Sequence, residues 1–457
     1  MLIDTHAHLD MEQFATDLPE VLERANAAGV GRIITIGTDA ASSRRAAGLA
    51  DACGPVYFAA GIHPHEVKDI KEGDYDRLRE LLNNPKAVAV GETGLDYHYD
   101  LSPRDVQREH FVLQLRLASE LRKPVIVHSR EANEETMDIL AAEDAGDAGG
   151  TLHCFSGDYE MARRALDLGF YISVGGTLTF KKSDALRDII KKVPIERTIL
   201  ETDCPYLAPQ PMRGKRNEPS FIGHAALVLA EVKGLSIGDV KRITTLNAAT
   251  LFGVGEAAGE GAIAYPIRDS LYLNITNRCT NDCTFCVRNT TAFVKGHNLR
   301  LRHEPDAGEV IAAMGEFERY KEVVFCGYGE PFIRLDVIKE VARAVKAKGI
   351  RVRVNTNGHA LLIHGRDILP ELAGLVDALS VSLNFPTAGE YTLVCRPRRG
   401  EEAYESMKEF VSGAKKYVPD VTVTVLNMPG VDVEACRKVA EDELGVKLRV
   451  REYNEVG

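Results

Sequence analysis

Short β-branched runs recur through the first half of the chain, each followed by a stretch with helical periodicity, which is the pattern of repeated βα units. The runs LIDTH, RIITI, VYFAA, AVAVG, PVIVH, GTLH, FYISV and TILET end near residues 6, 36, 60, 91, 128, 153, 174 and 202. Their number and total length predict an α/β fold with a closed (β/α)8 TIM barrel over 1–253. After Leu251 and Phe252 the pattern breaks into GVGEAAGEGAIA, whose small residues predict a linker over 254–264. The second half restarts with LYLNIT, EVVFC, RVRVN, ALSVSL, VTVTV and KLRVR, interleaved with helical segments. Six such units predict a partial, open (β/α)6 barrel over 265–457.

Composition agrees with two domains. A chain of 457 residues exceeds what one core usually organises, and 45% hydrophobic with 27% charged residues describes a soluble globular protein. A net charge of -11 argues against an extended basic surface for nucleic acid, so any polynucleotide contact must be local. No run of about 18 apolar residues occurs and the chain enters DTHAH without a leader, so the expected location is cytoplasmic, with no membrane partner. Nine cysteines are too few for a disulfide scaffold, and three crowd into one short run, which reads as metal binding.

His6 and His8 are two apart in an extended segment, so their side chains project from the same face of the strand. Taken singly, such residues also fit a hydrogen-bonded core or a solvated surface. Their distribution says more. His63 follows the third strand, Glu92 the fourth, His128 ends the fifth, His153 the sixth, and Asp203 the eighth. In a TIM barrel these ends converge on the face where active sites sit. Such a set of imidazoles and carboxylates suits borderline or hard divalent ions, and Glu92 as a bridge would hold two of them about 3.5–4 Å apart. The expected chemistry is activation of water toward a phosphoryl or acyl centre, with Asp203 placed to take the water's proton.

The run from DTHAHLD through GIHPH, GETGLDYH, HSR, HCFSG and ETDCPYLAP to RGKRNEP resembles the TatD family of metal-dependent hydrolases, over about residues 1–253. That resemblance implies that His6, His8 and Asp203 hold one ion, that His128 and His153 hold the other, and that Glu92 is shared. It implies that His63 and His65 face the substrate, His63 within the catalytic set. It further implies phosphodiester cleavage, commonly exonucleolytic on DNA or RNA, with two divalent cations such as magnesium, manganese or zinc. Arg213, Lys215 and Arg216 lie in the loop after the last strand, so Arg213 and Arg216 are candidate clamps for DNA, RNA or a phosphorylated small molecule, although a solvated loop has the same composition.

Cys279, Cys283 and Cys286 form C-x3-C-x2-C just after LYLNIT. Three thiolates in a short loop can wrap a cube of iron and sulfide and leave one iron open, whereas zinc would want a fourth ligand, and His297 and His303 are badly spaced to supply it. The spacing, Phe285 before the third cysteine and the later GYGEP resemble radical S-adenosylmethionine enzymes, over about residues 265–457. The resemblance implies a 4Fe-4S cluster whose open iron binds the amino and carboxylate groups of S-adenosylmethionine, an electron donor for the cluster, and a 5'-deoxyadenosyl radical. Gly329 and Glu330 match the motif that meets the methionine amino group, with Tyr328 in place of the commoner first glycine. Asn355, Asn357, Ser382 and Asn384 also fall at strand ends, where turn or cap roles compete with ligand contact.

The leading expectation is a bifunctional enzyme, a metal-dependent phosphodiesterase fused to a radical S-adenosylmethionine enzyme. A second reading makes the radical chemistry the main activity, with the barrel processing or binding its substrate. A third treats the barrel as a binding scaffold without turnover.

Overall fold

Eight parallel strands in chain order make the first sheet: β1 (Leu2–Ala7), β2 (Val30–Ile36), β3 (Val56–Ala60), β4 (Ala87–Asp96), β5 (Val125–Arg130), β6 (Gly150–Leu152), β7 (Tyr171–Val174) and β8 (Thr198–Leu200). The computed structural model describes residues 1–255 and 260–452. Just past β8 the sheet meets its first strand: Ala7 bridges Cys204 in parallel, Asp203 N donates to His6 O at 2.9 Å, and His8 N donates to Cys204 O at 2.8 Å. The expected TIM barrel is therefore present, and its closing contacts run through the segment that carries His6, His8 and Asp203.

Neighbouring strand positions separate into two buried clusters, as a period of two requires. Leu2, Ile33, Val125, Val127, Ile172 and Leu200 pack with the surrounding helices. Ile3, Ile34, Ile126, Tyr171 and Ile199 pack instead with Phe252 and Val254. Three of the barrel's α-helices, Ala40–Ala52, Tyr159–Asp167 and Ile237–Phe252, start on side-chain caps that the sequence supplies. Asp158 accepts from Met161 N at the head of Tyr159–Asp167, and Ser236 and Asp239 form a reciprocal capping box at the head of Ile237–Phe252.

Strand ends match the expectation within two residues except at β4, which continues through Glu92 to Asp96. All ten of its residues are buried. Its pairing with β5 slips between Val90 and Thr93, at Gly91, which has φ 150° and would bring a Cβ to 2.8 Å from Ile126 O. Only glycine fits there, and the bulge it permits is how the strand carries Glu92 past its neighbours.

The chain divides into two compact units, Met1–Glu256 and Ala257–Gly457. The expected linker over 254–264 includes residues 256–259, which lie outside the described residues, and its last position, Ala264, already opens a strand. In the second unit β9 (Ala264–Ile267) runs antiparallel to β10 (Ser270–Leu273), and β11 (Phe293–Val294) with β12 (His297–Asn298) forms a small hairpin. The sheet continues in parallel through β13 (Glu322–Phe325), β14 (Arg351–Thr356), β15 (Ala378–Ser382), β16 (Asp420–Asn427) and β17 (Lys447–Glu452). All six expected strands are there, parallel and in order from β10, and the antiparallel β9 makes the sheet mixed.

Among the described residues no single helix is long and apolar enough to cross a membrane. A bent pair, Pro219–Lys233 with Ile237–Phe252, has the length and composition to do so. Its apolar positions Ile222, Ala225, Leu229, Val240 and Ile243 are buried in the barrel's own core.

Candidate metal centre and cysteine loop

The barrel's ligand-type residues converge. The two oxygens of Glu92 face different partners. Oε2 lies 3.3 Å from His6 Nε2 and 4.0 Å from His8 Nε2. Oε1 lies 2.8 Å from His128 Nδ1, 3.0 Å from His153 Nε2 and 3.5 Å from His63 Nε2. Asp203 closes the first side, with Oδ1 3.4 Å from His8 Nε2 and 3.8 Å from His6 Nε2. Ligand atoms of His6, His8 and Asp203 lie within 4.8 Å of one another, as do those of His63, Glu92 and His128, and those of His6, His153 and Glu201.

Burial without compensating charge would make these carboxylates weak bases or neutral acids. Here burial pushes the Glu92 carboxyl up, but the imidazoles of His153, His63 and His6, with the hydrogen bond to His128, hold it well below the usual range. Asp203 is likewise lowered, its burial overcome by the hydrogen bond from His8 and the charges of His153 and His6. His63 goes the other way: burial holds it well below 6.5, against the pull of Glu92. The same carboxylates, acting against burial, raise His8, His128 and His153, the last well above 6.5.

Two carboxylates that were not singled out in the sequence complete the surroundings. Asp96 Oδ2 lies 3.0 Å from His128 Nε2 and 3.1 Å from His65 Nε2. Glu201 accepts from Cys154 N at 2.5 Å and Ser173 Oγ at 2.6 Å, and lies 3.6 Å from His153 Nδ1. Both stand inside quoted motifs, GETGLDY and ETDCP, so the signal was present, but only burial and distance give these two residues a role.

The loop arginines part company. Arg216 donates to both oxygens of Asp17 at 2.7 Å and lies over the Phe14 ring at 4.6 Å. Arg213 is exposed, with its guanidinium 4.5 Å over the Phe180 ring. The expected pair of clamps thus has one member already held in an ion pair.

In the second unit the GYGEP turn lies directly against the chain entering the cysteine loop. A Cβ on Gly329 would stand 2.2 Å from Arg278 O, and Glu330 N donates to that same oxygen at 2.8 Å. The Glu330 side chain turns inward, accepting from Thr356 Oγ1 at 2.7 Å, Asn357 N at 2.8 Å and Phe332 N at 3.1 Å. Asn357 Nδ2 in turn donates to Thr280 Oγ1 at 2.7 Å and approaches Cys279 Sγ at 3.9 Å. Cys283 and Cys286 are joined by a turn, Cys286 N to Cys283 O at 3.1 Å. Burial pushes the Cys279 thiol up to about 12. A cavity of about 370 Å³ beside this loop is lined by Cys286, Arg288, Arg300 and Tyr328, among others.

Comparison with known proteins decides the family. The pattern of the TatD related DNase family matches residues 3–253. The metal-dependent hydrolase YabD of Bacillus subtilis is 45% identical over 254 residues, covering 56% of this chain and 100% of YabD. The chain belongs to the TatD family. The 3'-5' ssDNA/RNA exonuclease TatD of Escherichia fergusonii is 33% identical to the TatD barrel, over 55% of this chain and 99% of that protein. The crystal structure of the TatD homologue YjjV from Escherichia coli superposes with a TM-score of 0.54 at 35% identity, covering 56% of this chain and 98% of YjjV. Beyond the TatD barrel, the radical SAM superfamily matches residues 273–442. The protein is thus an enzyme with a metal-dependent hydrolase domain and a radical SAM domain, whose general cofactors are divalent metal in the first and iron–sulfur with S-adenosylmethionine in the second.

Proposed function

We propose that residues 1–253 form a two-metal phosphodiesterase acting on nucleic-acid ends, and that residues 265–457, beyond a connector over 254–264, form a 4Fe-4S radical S-adenosylmethionine enzyme. The observation that carries the first half is the division of Glu92, whose Oε2 faces His6 and His8 while Oε1 faces His128 and His153. A divalent pair fits this donor set: Nε2 of His6, His8 and His153 and Nδ1 of His128 crowd within 4.0 Å of the Glu92 carboxylate, and the Glu92 and Asp203 carboxyls are both held below their usual range. His6, His8 and Asp203 would hold one ion, His128 and His153 the other, with Glu92 between. Magnesium, manganese and zinc all suit these ligands, and when bound they would supply Lewis-acid stabilisation of charge on a phosphoryl oxygen.

The protein's own groups do the rest. Asp203, ionised and beside the first set, accepts the proton of the attacking water. Neutral His63, 3.5 Å from Glu92, offers an uncharged N–H to the substrate, and His65, against Asp96, flanks it. Exposed Arg213 meets a backbone phosphate, whereas Arg216 would first have to leave Asp17. The exonuclease named among the relatives supports this substrate class. Asp203→Asn should lower kcat on a phosphodiester about 10²–10⁴-fold while the fold persists. Unchanged turnover would remove Asp203 from the reaction.

In the second domain the unpaired thiols at positions 279, 283 and 286 would hold a cluster with one open iron, supplying one-electron chemistry, once Cys283 leaves its hydrogen bond with Cys395. Glu330 holds the loop in place from within, leaving the backbone of the GYGEP turn at Gly329 to meet the cofactor's amino group.

A further inference from the structure

An exposed tyrosine beside a polar site presents a flat apolar ring and a polar hydroxyl to whatever binds there. Among the described residues of the barrel three tyrosines are exposed: Tyr99 (55%), Tyr159 (41%) and Tyr206 (49%). Tyr159 lies 4.8 Å under the Lys192 ammonium. The other two abut the metal centre from opposite sets of ligands. The Tyr206 ring lies 6.2 Å from the His8 ring at 69°, and the Tyr99 ring lies 5.6 Å from the His65 ring at 89°.

Both rings are fixed through their backbones by carboxylate residues of the site. Tyr206 N donates to Asp203 O at 2.9 Å, and Tyr206 O accepts from Asn217 Nδ2 at 2.6 Å. Tyr99 N donates to Asp96 Oδ1 at 2.8 Å. Arg130, two residues past His128 on β5, brings its guanidinium to 4.9 Å over the Tyr99 ring. An exposed aromatic on each side of a phosphodiester site can take an unpaired base on whatever ring face it leaves open, although Arg130 already lies over one face of Tyr99 and the His98 ring packs 4.8 Å from it.

We propose that Tyr99 and Tyr206 are stacking platforms for the unpaired nucleobases on either side of the phosphodiester, with Arg130 neutralising the adjacent phosphate. The inference rests on the phosphodiesterase reading of the same site and assigns to these two rings the discrimination between unpaired and paired bases, because a base held in a duplex cannot leave its stack to lie on either ring without the cost of unpairing.

The test compares Tyr99→Ala, Tyr206→Ala, Tyr99→Phe, Tyr206→Phe and, as a control, Tyr159→Ala. Dissociation constants are read by fluorescence anisotropy for an end-labelled single-stranded DNA, the same strand carrying abasic sites, and its duplex, and cleavage is followed separately. The wild type should bind the base-containing strand more tightly than the other two. Each alanine variant should weaken that binding about 5- to 150-fold, carrying the ratio of abasic to base-containing affinity toward one. The phenylalanine variants and Tyr159→Ala should keep the wild-type ratio. Equal affinity of the wild type for abasic and base-containing strands, or alanine variants with the wild-type ratio, would overturn the platforms. If the variants behave as expected but no strand is cleaved, the platforms stand and the hydrolytic reading falls.

Discussion

Glu201 stands behind His153, its Oε1 3.6 Å from Nδ1, on the far side of the ring from Glu92, which lies 3.0 Å from Nε2. A carboxylate behind a ligating imidazole fixes which nitrogen carries the proton and so which one is free to bind metal. Glu201 is itself held by Cys154 N and Ser173 Oγ, so it is positioned before any ion arrives.

Glu201→Gln keeps the shape and removes the charge. Metal affinity, measured by titration with manganese, should fall about 10- to 100-fold with the number of sites unchanged. Wild-type affinity in this variant would assign Glu201 to the core alone.

The loop arginines should respond oppositely to truncation. Arg213→Ala should raise KM for an oligonucleotide and flatten its salt dependence by about one charge, with little change in melting temperature. Arg216→Ala removes the bidentate pair with Asp17 and should mainly lower thermal stability, by about 1 kcal/mol for so exposed a pair. Calorimetry and kinetics on both variants read the difference, and loss of substrate affinity confined to Arg216→Ala would reverse the assignment.

The convergence of His6, Glu92, His128, His153 and Asp203 was legible because a barrel turns residues far apart in the chain into neighbours at one rim, although Glu92 lies within β4 and not at its end. Asp96 and Glu201 escaped because acidic residues two to four positions from an obvious ligand are common, and only burial against His128 and His153 distinguishes these. Arg216 looked available because Asp17, its partner, is 199 positions earlier in the chain. β9 escaped because it opens on Ala264, the last position of the Gly and Ala rich connector, and carries Pro266, which is tolerated because the strand lies at the margin of the sheet. In the second domain the cysteine spacing was legible, but the inward turn of Glu330 toward Thr356 and Asn357 was not, since a Gly-rich turn leaves side-chain direction open.

The second domain should also lose stability in acid through one histidine. His359 is buried, with Nδ1 3.0 Å from Thr280 Oγ1 and Nε2 3.0 Å from Tyr391 Oη, and burial pushes its imidazole from 6.5 down to about 4. Between those pH values the unfolded chain takes up a proton that the folded chain refuses, so stability falls as pH drops from 6.5 to 4 and levels off below. The loss is about 3 kcal/mol. His359→Gln should remove that part of the slope, read by calorimetry of the full chain at pH 7 and 5. A variant whose transition tracks the wild type at both values would place the imidazole's titration elsewhere.

The most direct test of two metal centres in one chain is elemental analysis of protein purified and reconstituted without oxygen, beside Glu92→Ala and Cys283→Ala. The wild type should carry two divalent ions and about four irons per chain. Glu92→Ala should lose the divalent pair and keep the iron, and Cys283→Ala should do the reverse. A colourless wild type with a single zinc, or a Glu92→Ala protein that still binds both ions, would contradict the account.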